Sequence, residues 1–159
     1  MKNNWKVVII GFLTVIITNS CQSENRTTDT YSYEFDSKTE KLQFLKEYLK
    51  KDAGLVDANY HIWYQDNGTG MLPAPSDYKI KVALKIEADS LDSWIKNLKP
   101  TFQEISLSHW KDLKLDSSKW SLKETPEFYV SESLTEIKIL YRKEHIILGV
   151  YATMPVALD

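Results

Sequence analysis

Tyr78-Lys79-Ile80-Lys81-Val82-Ala83-Leu84-Lys85-Ile86-Glu87 is the stretch on which the fold turns. Side chains alternate across an extended chain, so Tyr78, Ile80, Val82, Leu84 and Ile86 share one face, and Lys79, Lys81, Lys85 and Glu87 take the other. A strand with one apolar face belongs to a sheet that buries that face. Just upstream, Asp57 to Asp66 alternates in the same way, with Tyr60, Ile62 and Tyr64 on one side and His61, Trp63 and Gln65 on the other. Downstream, Glu127 to Val130 reads as a short strand, and Leu134 to Tyr141 and His145 to Met154 as a hairpin turning at Arg142-Lys143-Glu144. In the hairpin, Ile139 points to the core and Lys138 away from it.

Helical spacing appears twice between these strands. Ser37-Lys38-Thr39-Glu40 is a capping box, in which the serine hydroxyl takes an orphan amide and the glutamate reaches back. Leu42, Leu45, Tyr48 and Leu49 then recur at helical intervals, with Gly54 as the stop. Asp89 or Ser90 caps a second helix with Leu91, Trp94, Ile95 and Leu98 on its apolar side, ending before Pro100. Residues 101–125 fit neither period and read as loop with one helical turn. The expected fold is α+β: an antiparallel sheet of four to five strands with two amphipathic helices packed on one face.

The N-terminus is of another kind. Two lysines precede an apolar run, Val7 to Ile17, which gives way to Thr18-Asn19-Ser20-Cys21. A basic start, a short apolar stretch and a small residue at its exit make a secretory leader. The run falls well short of the roughly 20 apolar residues that cross a bilayer as a helix. The chain's one cysteine follows a serine at the leader's exit. This segment resembles the lipobox of bacterial lipoproteins, with Thr18 where the family usually has Leu, Val or Ile. The resemblance covers residues 1–21 and implies that Cys21 becomes the lipidated first residue of the mature chain. It also implies a cell-envelope address, with Gln22 pointing to the outer membrane. The expected organisation is a signal peptide over 1–20, the lipidated cysteine and a tether over 21–36, and a single domain over 37–159.

Composition narrows the function. The 159 residues are 43% hydrophobic and 26% charged, which suits one packed domain and excludes wholesale disorder. The formal charge is −2, and removing residues 1–20 leaves 18 basic against 22 acidic residues. A mildly acidic chain does not grip nucleic acid by bulk charge. It also lacks a polybasic patch for anionic lipid, which leaves membrane attachment to the acyl chains. No phosphate-binding glycine loop, nucleophile elbow, metalloprotease helix or paired-cysteine motif is present, and five glycines are little material for a phosphate cradle. His61, His109 and His145 are scattered without metal-ligand spacing, so neither a metal nor a cofactor is expected.

The candidates for recognition are therefore a loop and several aromatics. Asp66, Asn67, Gly68, Thr69 and Gly70 open a connection running to Asp77 where a tight Asn-Gly turn would have sufficed. Trp110 and Trp120 lie in a charged segment and could anchor a partner. His61, Trp63 and Gln65, if they share a face with Lys79, Lys81 and Lys85, could form a platform for an anionic ligand. The reading that unites these features is a lipid-anchored envelope protein, leaning non-enzymatic, that binds a protein or glycan partner as an inhibitor or immunity factor would. One alternative is a small envelope hydrolase, which requires His61 or His145 beside a carboxylate inside a cleft. Another is a structural accessory subunit of an outer-membrane complex.

Overall fold

The computed structural model describes residues 27–67 and 75–158. Cys21, the leader and the loop residues Gly68, Thr69 and Gly70 lie outside them. Seven strands form one antiparallel sheet among the described residues: β1 (Thr28–Tyr31), β2 (Leu55–Gln65), β3 (Asp77–Ile86), β4 (Lys99–Thr101), β5 (Glu127–Val130), β6 (Glu136–Tyr141) and β7 (Ile146–Ala152). Their order is β1-β2-β3-β7-β6-β5-β4. Two antiparallel meanders thus meet where β3 pairs with β7.

The α+β expectation holds, and the strand count rises from four or five to seven because both edge strands escape sequence patterning. β1 is polar and only four residues long. It lies in the stretch assigned to the tether, yet it pairs Thr28 to Tyr31 with Tyr64 to His61, and the 3₁₀ turn after it buries Ser32. The folded domain therefore begins before residue 37. β4 contains Pro100, which reads as a helix stop. It is tolerated at the sheet edge, where a missing amide costs no ladder bond.

Both helices form where the sequence places them, and both are short. α1 (Lys38–Tyr48) starts at Ser37, whose Oγ accepts from the Glu40 amide at 3.2 Å. It ends at Tyr48, before the expected glycine stop. Gly54 instead takes φ +63° in the turn entering β2, and its carbonyl accepts from Glu87 N at 2.8 Å. α2 (Leu91–Ile95) follows a 3₁₀ turn. Leu45 of α1, Leu49 just past its end, and Leu91 and Trp94 of α2 pack on Tyr60, Ile62, Val82, Leu84, Leu140 and Ile147 of the sheet.

The other face of the sheet is also buried. The segment after β4 lies across it with a 3₁₀ stretch, Leu107–Leu113, and delivers Ile105, Trp110, Leu113 and Trp120 onto Ala83, Ile137, Ile139, Leu148 and Val150. These residues lack a period because they belong to an irregular coat. The lysine face of β3 is accordingly no solvated surface. Lys81 pairs with Asp112, and Lys85 lies 5.3 Å from the Trp120 ring. Lys138, which the hairpin pattern points away from the core, is instead only 2% exposed, because α2 closes over it.

Candidate functional site

The helical layer is too short for the sheet beneath it. β2 and β3 have eleven and ten residues and reach about 33–36 Å, whereas α1 and α2, with eleven and five, span about 16 and 8 Å. One end of this face is left open, and there the structure has a cleft of about 1130 Å³. The end of α1 with Lys50 and Lys51 forms one wall, and Trp94, Asn97 and Leu98 form the other. Tyr64, Tyr78, Ile80, Tyr151, Glu136 and Lys138 make the floor.

Register explains the floor. Tyr64 of β2 stands opposite Tyr78 of β3, and one row deeper Ile80, Tyr151 and Glu136 stand side by side on β3, β7 and β6. The next row holds Val82, Gly149 and Lys138. Gly149 has no side chain to fill its place. A Cβ there would lie 3.4 Å from the Tyr151 ring and 3.0 Å from Val82, so the tyrosine rests over the glycine. Among the described residues, the hydroxyls of Tyr64, Tyr78 and Tyr151 make no hydrogen bond.

Three ammonium groups line this cleft, those of Lys50, Lys51 and Lys138; Lys50 is exposed, and the other two are engaged. Lys138 Nζ donates to Glu136 Oε1 at 2.6 Å and to the Trp94 carbonyl, with the Tyr151 and Trp94 rings 5.3 and 5.8 Å away. Burial pushes the Lys138 amine below the usual lysine value against the opposing pull of Glu136, and nearby Lys51 adds to the depression. Lys51 donates to the Ser93 carbonyl and lies 5.6 Å from the Trp94 ring, and burial lowers its pKa as well. Burial, with Glu136 adding, raises the Tyr151 phenol far above its ordinary range, so it is a neutral donor.

The residues singled out in the sequence lie elsewhere. Trp110 and Trp120 are core side chains, 3% and 5% exposed, and Trp110 Nε1 donates to the Gly149 carbonyl at 3.1 Å. They are not surface anchors, since they pack with Ile105 and Leu113 over the apolar back of the sheet. Asp66 and Asn67 close the base of their loop, Asp66 N donating to Thr27 Oγ1 at 3.2 Å and Asn67 Nδ2 to the Pro75 carbonyl at 2.6 Å. Trp63 stays on the surface and borders a smaller pocket of about 330 Å³ with His109 and Met154.

His61 does share a face with Lys81, its register partner, but the platform for an anion is not available. Asp112 occupies it, pairing with Lys81 and lying 3.3 Å from His61 Nδ1. On the other side, His61 Nε2 donates to Asp29 Oδ1 at 2.6 Å, and the ring stacks on Tyr31 at 4.0 Å. The hydrolase reading asked for a histidine beside a carboxylate inside a cleft. His61 has the carboxylate but lines neither of the two pockets, while His145 sits exposed in the β6–β7 turn at φ +55°.

Among the described residues, no group of three metal-ligating side chains converges and no helix is long and apolar enough to cross a membrane. The chain matches none of the protein-family models, curated proteins or solved structures with which it was compared.

Proposed function

We propose that the protein is a lipid-anchored recognition protein of the cell envelope, held by Cys21 and binding a partner in the aromatic cleft without turning it over. The observation that carries this reading is the cleft itself: a preformed concavity with an aromatic floor whose tyrosine hydroxyls have no hydrogen-bond partner among the described residues. Aromatic side chains with a polar tip supply contact area at low entropic cost and are favoured where one end is apolar and the other wet. Thr27 lines the cleft and is six positions after Cys21, so the tether keeps the cleft mouth within about 20 Å of the anchoring lipid. A partner at or near the membrane surface is therefore the one within reach.

Two measurements test the reading. Cys21→Ala should abolish incorporation of labelled fatty acid and release the protein from membranes; unchanged labelling refutes the anchor. A photocrosslinking residue at Asn97, in the cleft wall, should form adducts in intact cells, and the same residue at exposed Lys111 on the opposite face should not. Equal yields, or none from Asn97, refute the cleft as the recognition surface. The contact of His61 with Asp29 favours a second reading, a histidine-dependent hydrolase. An activity lost in His61→Ala, with cleft binding intact, would establish it.

A further inference from the structure

We infer that the occupant of the cleft is an oligosaccharide of two or more pyranose rings, carrying little net charge. This rests on the cleft being the recognition surface and adds the ligand's chemistry. A pyranose has an apolar face of C–H bonds and a rim of hydroxyls. The floor matches both: the aromatic rings of Tyr64, Tyr78 and Tyr151 line it, and their hydroxyls have no hydrogen-bond partner among the described residues. Asn97 in the wall and Glu136 in the floor supply an amide and a carboxylate suited to bonding sugar hydroxyls. The volume exceeds the roughly 300–1,000 Å³ typical of small-molecule pockets, which leaves room for more than one ring.

Other ligand classes fit less well. A phosphate or sulfate needs several uncommitted cations; the ammoniums of Lys138 and Lys51 are already committed to Glu136, Trp94 O and Ser93 O, which leaves Lys50 alone, on a lining that also carries the carboxylates of Glu47 and Glu136. An acyl chain would shut the three hydroxyls and Glu136 away from water with nothing to bond, and unsatisfied polar groups are costly to bury. An extended peptide most readily adds to a sheet edge. The floor is drawn largely from β3, β7 and β6, which are paired on both sides, and the edge strands are β1 and β4.

The test uses the full chain. Chitotetraose and maltotetraose are titrated by calorimetry beside an array of bacterial envelope oligosaccharides. Binding of at least one sugar is expected. Tyr78→Ala should weaken that binding at least tenfold and Tyr78→Phe, which keeps the ring and the fold, severalfold. Trp63→Ala, outside the cleft, should leave it unchanged. No binding to any sugar, or binding indifferent to both Tyr78 variants, overturns the inference. If the Asn97 photocrosslinker captures a protein while every sugar fails, the sugar is refuted and the cleft remains the recognition surface. If no adduct forms and no sugar binds, both readings fall together.

Discussion

Lys138 offers a sharp test of the architecture, because its sequence setting and its structural setting demand different costs. As a surface lysine it should tolerate replacement for under about 1 kcal/mol. Buried between Trp94, Tyr151 and Glu136, it should not. Lys138→Ala removes roughly three buried methylenes at about 0.8 kcal/mol each. It also leaves the Trp94 carbonyl without its donor, for about 1 kcal/mol more. The total is about 3–4 kcal/mol. Lys138→Met keeps the packing and removes the ammonium whose burial is itself unfavourable, so its cost should fall within about 1 kcal/mol of zero. Glu136→Gln strands the ammonium, but Glu136 is itself about one-third exposed and water can partly replace it, so about 1–2 kcal/mol is expected. Urea unfolding at neutral pH should therefore order the variants Ala, then Gln, then Met. With a slope of about 1–3 kcal/mol per molar urea, the alanine midpoint should drop by more than about 1 M.

The pH dependence supplies a second check. Burial lowers the Lys138 pKa below its ordinary value of 10.5, so between the two values the unfolded chain binds more protons than the folded one. Stability contributed at this residue must then rise with pH across that window. Wild type should gain on Lys138→Met as the solution is made alkaline towards 10.5. A methionine variant as unstable as alanine, or a wild type that loses ground on methionine over this range, would refute the reasoning.

Three further outcomes follow from the packing. Trp110→Ala should cost about 3–5 kcal/mol and lower the thermal midpoint by roughly 10 °C or more, where a surface anchor would leave it untouched. Gly54→Ala should cost at least about 2 kcal/mol in urea unfolding, since the residue stands at φ +63° and a Cβ would meet Ser90 Oγ at 2.5 Å. Hydrogen bonding from Arg142 holds the Glu127 carboxyl below its ordinary 4.5. Its contribution is present above that pH and is lost on acidification through the folded value, so Glu127→Gln should trail wild type near neutrality and converge with it in acid. Glu127 and Arg142 are both about 40% exposed, which keeps the gap under about 1 kcal/mol.

The alternation of Tyr78 to Glu87 carried most of what was legible. It placed Ile80, Val82, Leu84 and Ile86 correctly in the core facing the helices. It misled about the opposite face, because alternation separates two faces without saying that the polar one meets water. Ala83, sitting among the lysines and fully buried, was the available warning. Long lysine stems cross apolar surface and find partners at its margin, as Lys81 does with Asp112 and Lys85 with Trp120. Trp110 and Trp120 were unreadable for a related reason, since an irregular coat imposes no period. The cleft left no local trace, because Tyr64, Tyr78, Trp94 and Tyr151 come from four elements and each reads alone as a core residue. Its one sequence signal was a mismatch of lengths: long alternating strands set against apolar helical stripes too brief to roof them.

The position of β7 bears on how the chain comes to be folded at all. It is the last strand to be synthesised and the middle one of seven, with three strands on either side. Its partner β3 lies far back along the chain, Lys79 pairing with Ala152 and Lys85 with Ile146. Until β7 exists, β1-β2-β3 and β6-β5-β4 are separate ribbons, each showing a bare inner edge and half of both cores. Contacts so distant in sequence are slow to form, because the loop between them must be closed before they repay it. A chain stopped before Ile146 would hence lose the joint of the sheet, and with it the Tyr151 and Gly149 floor of the cleft. Such a polypeptide cannot complete its sheet until β7, the last of its described strands, has been made.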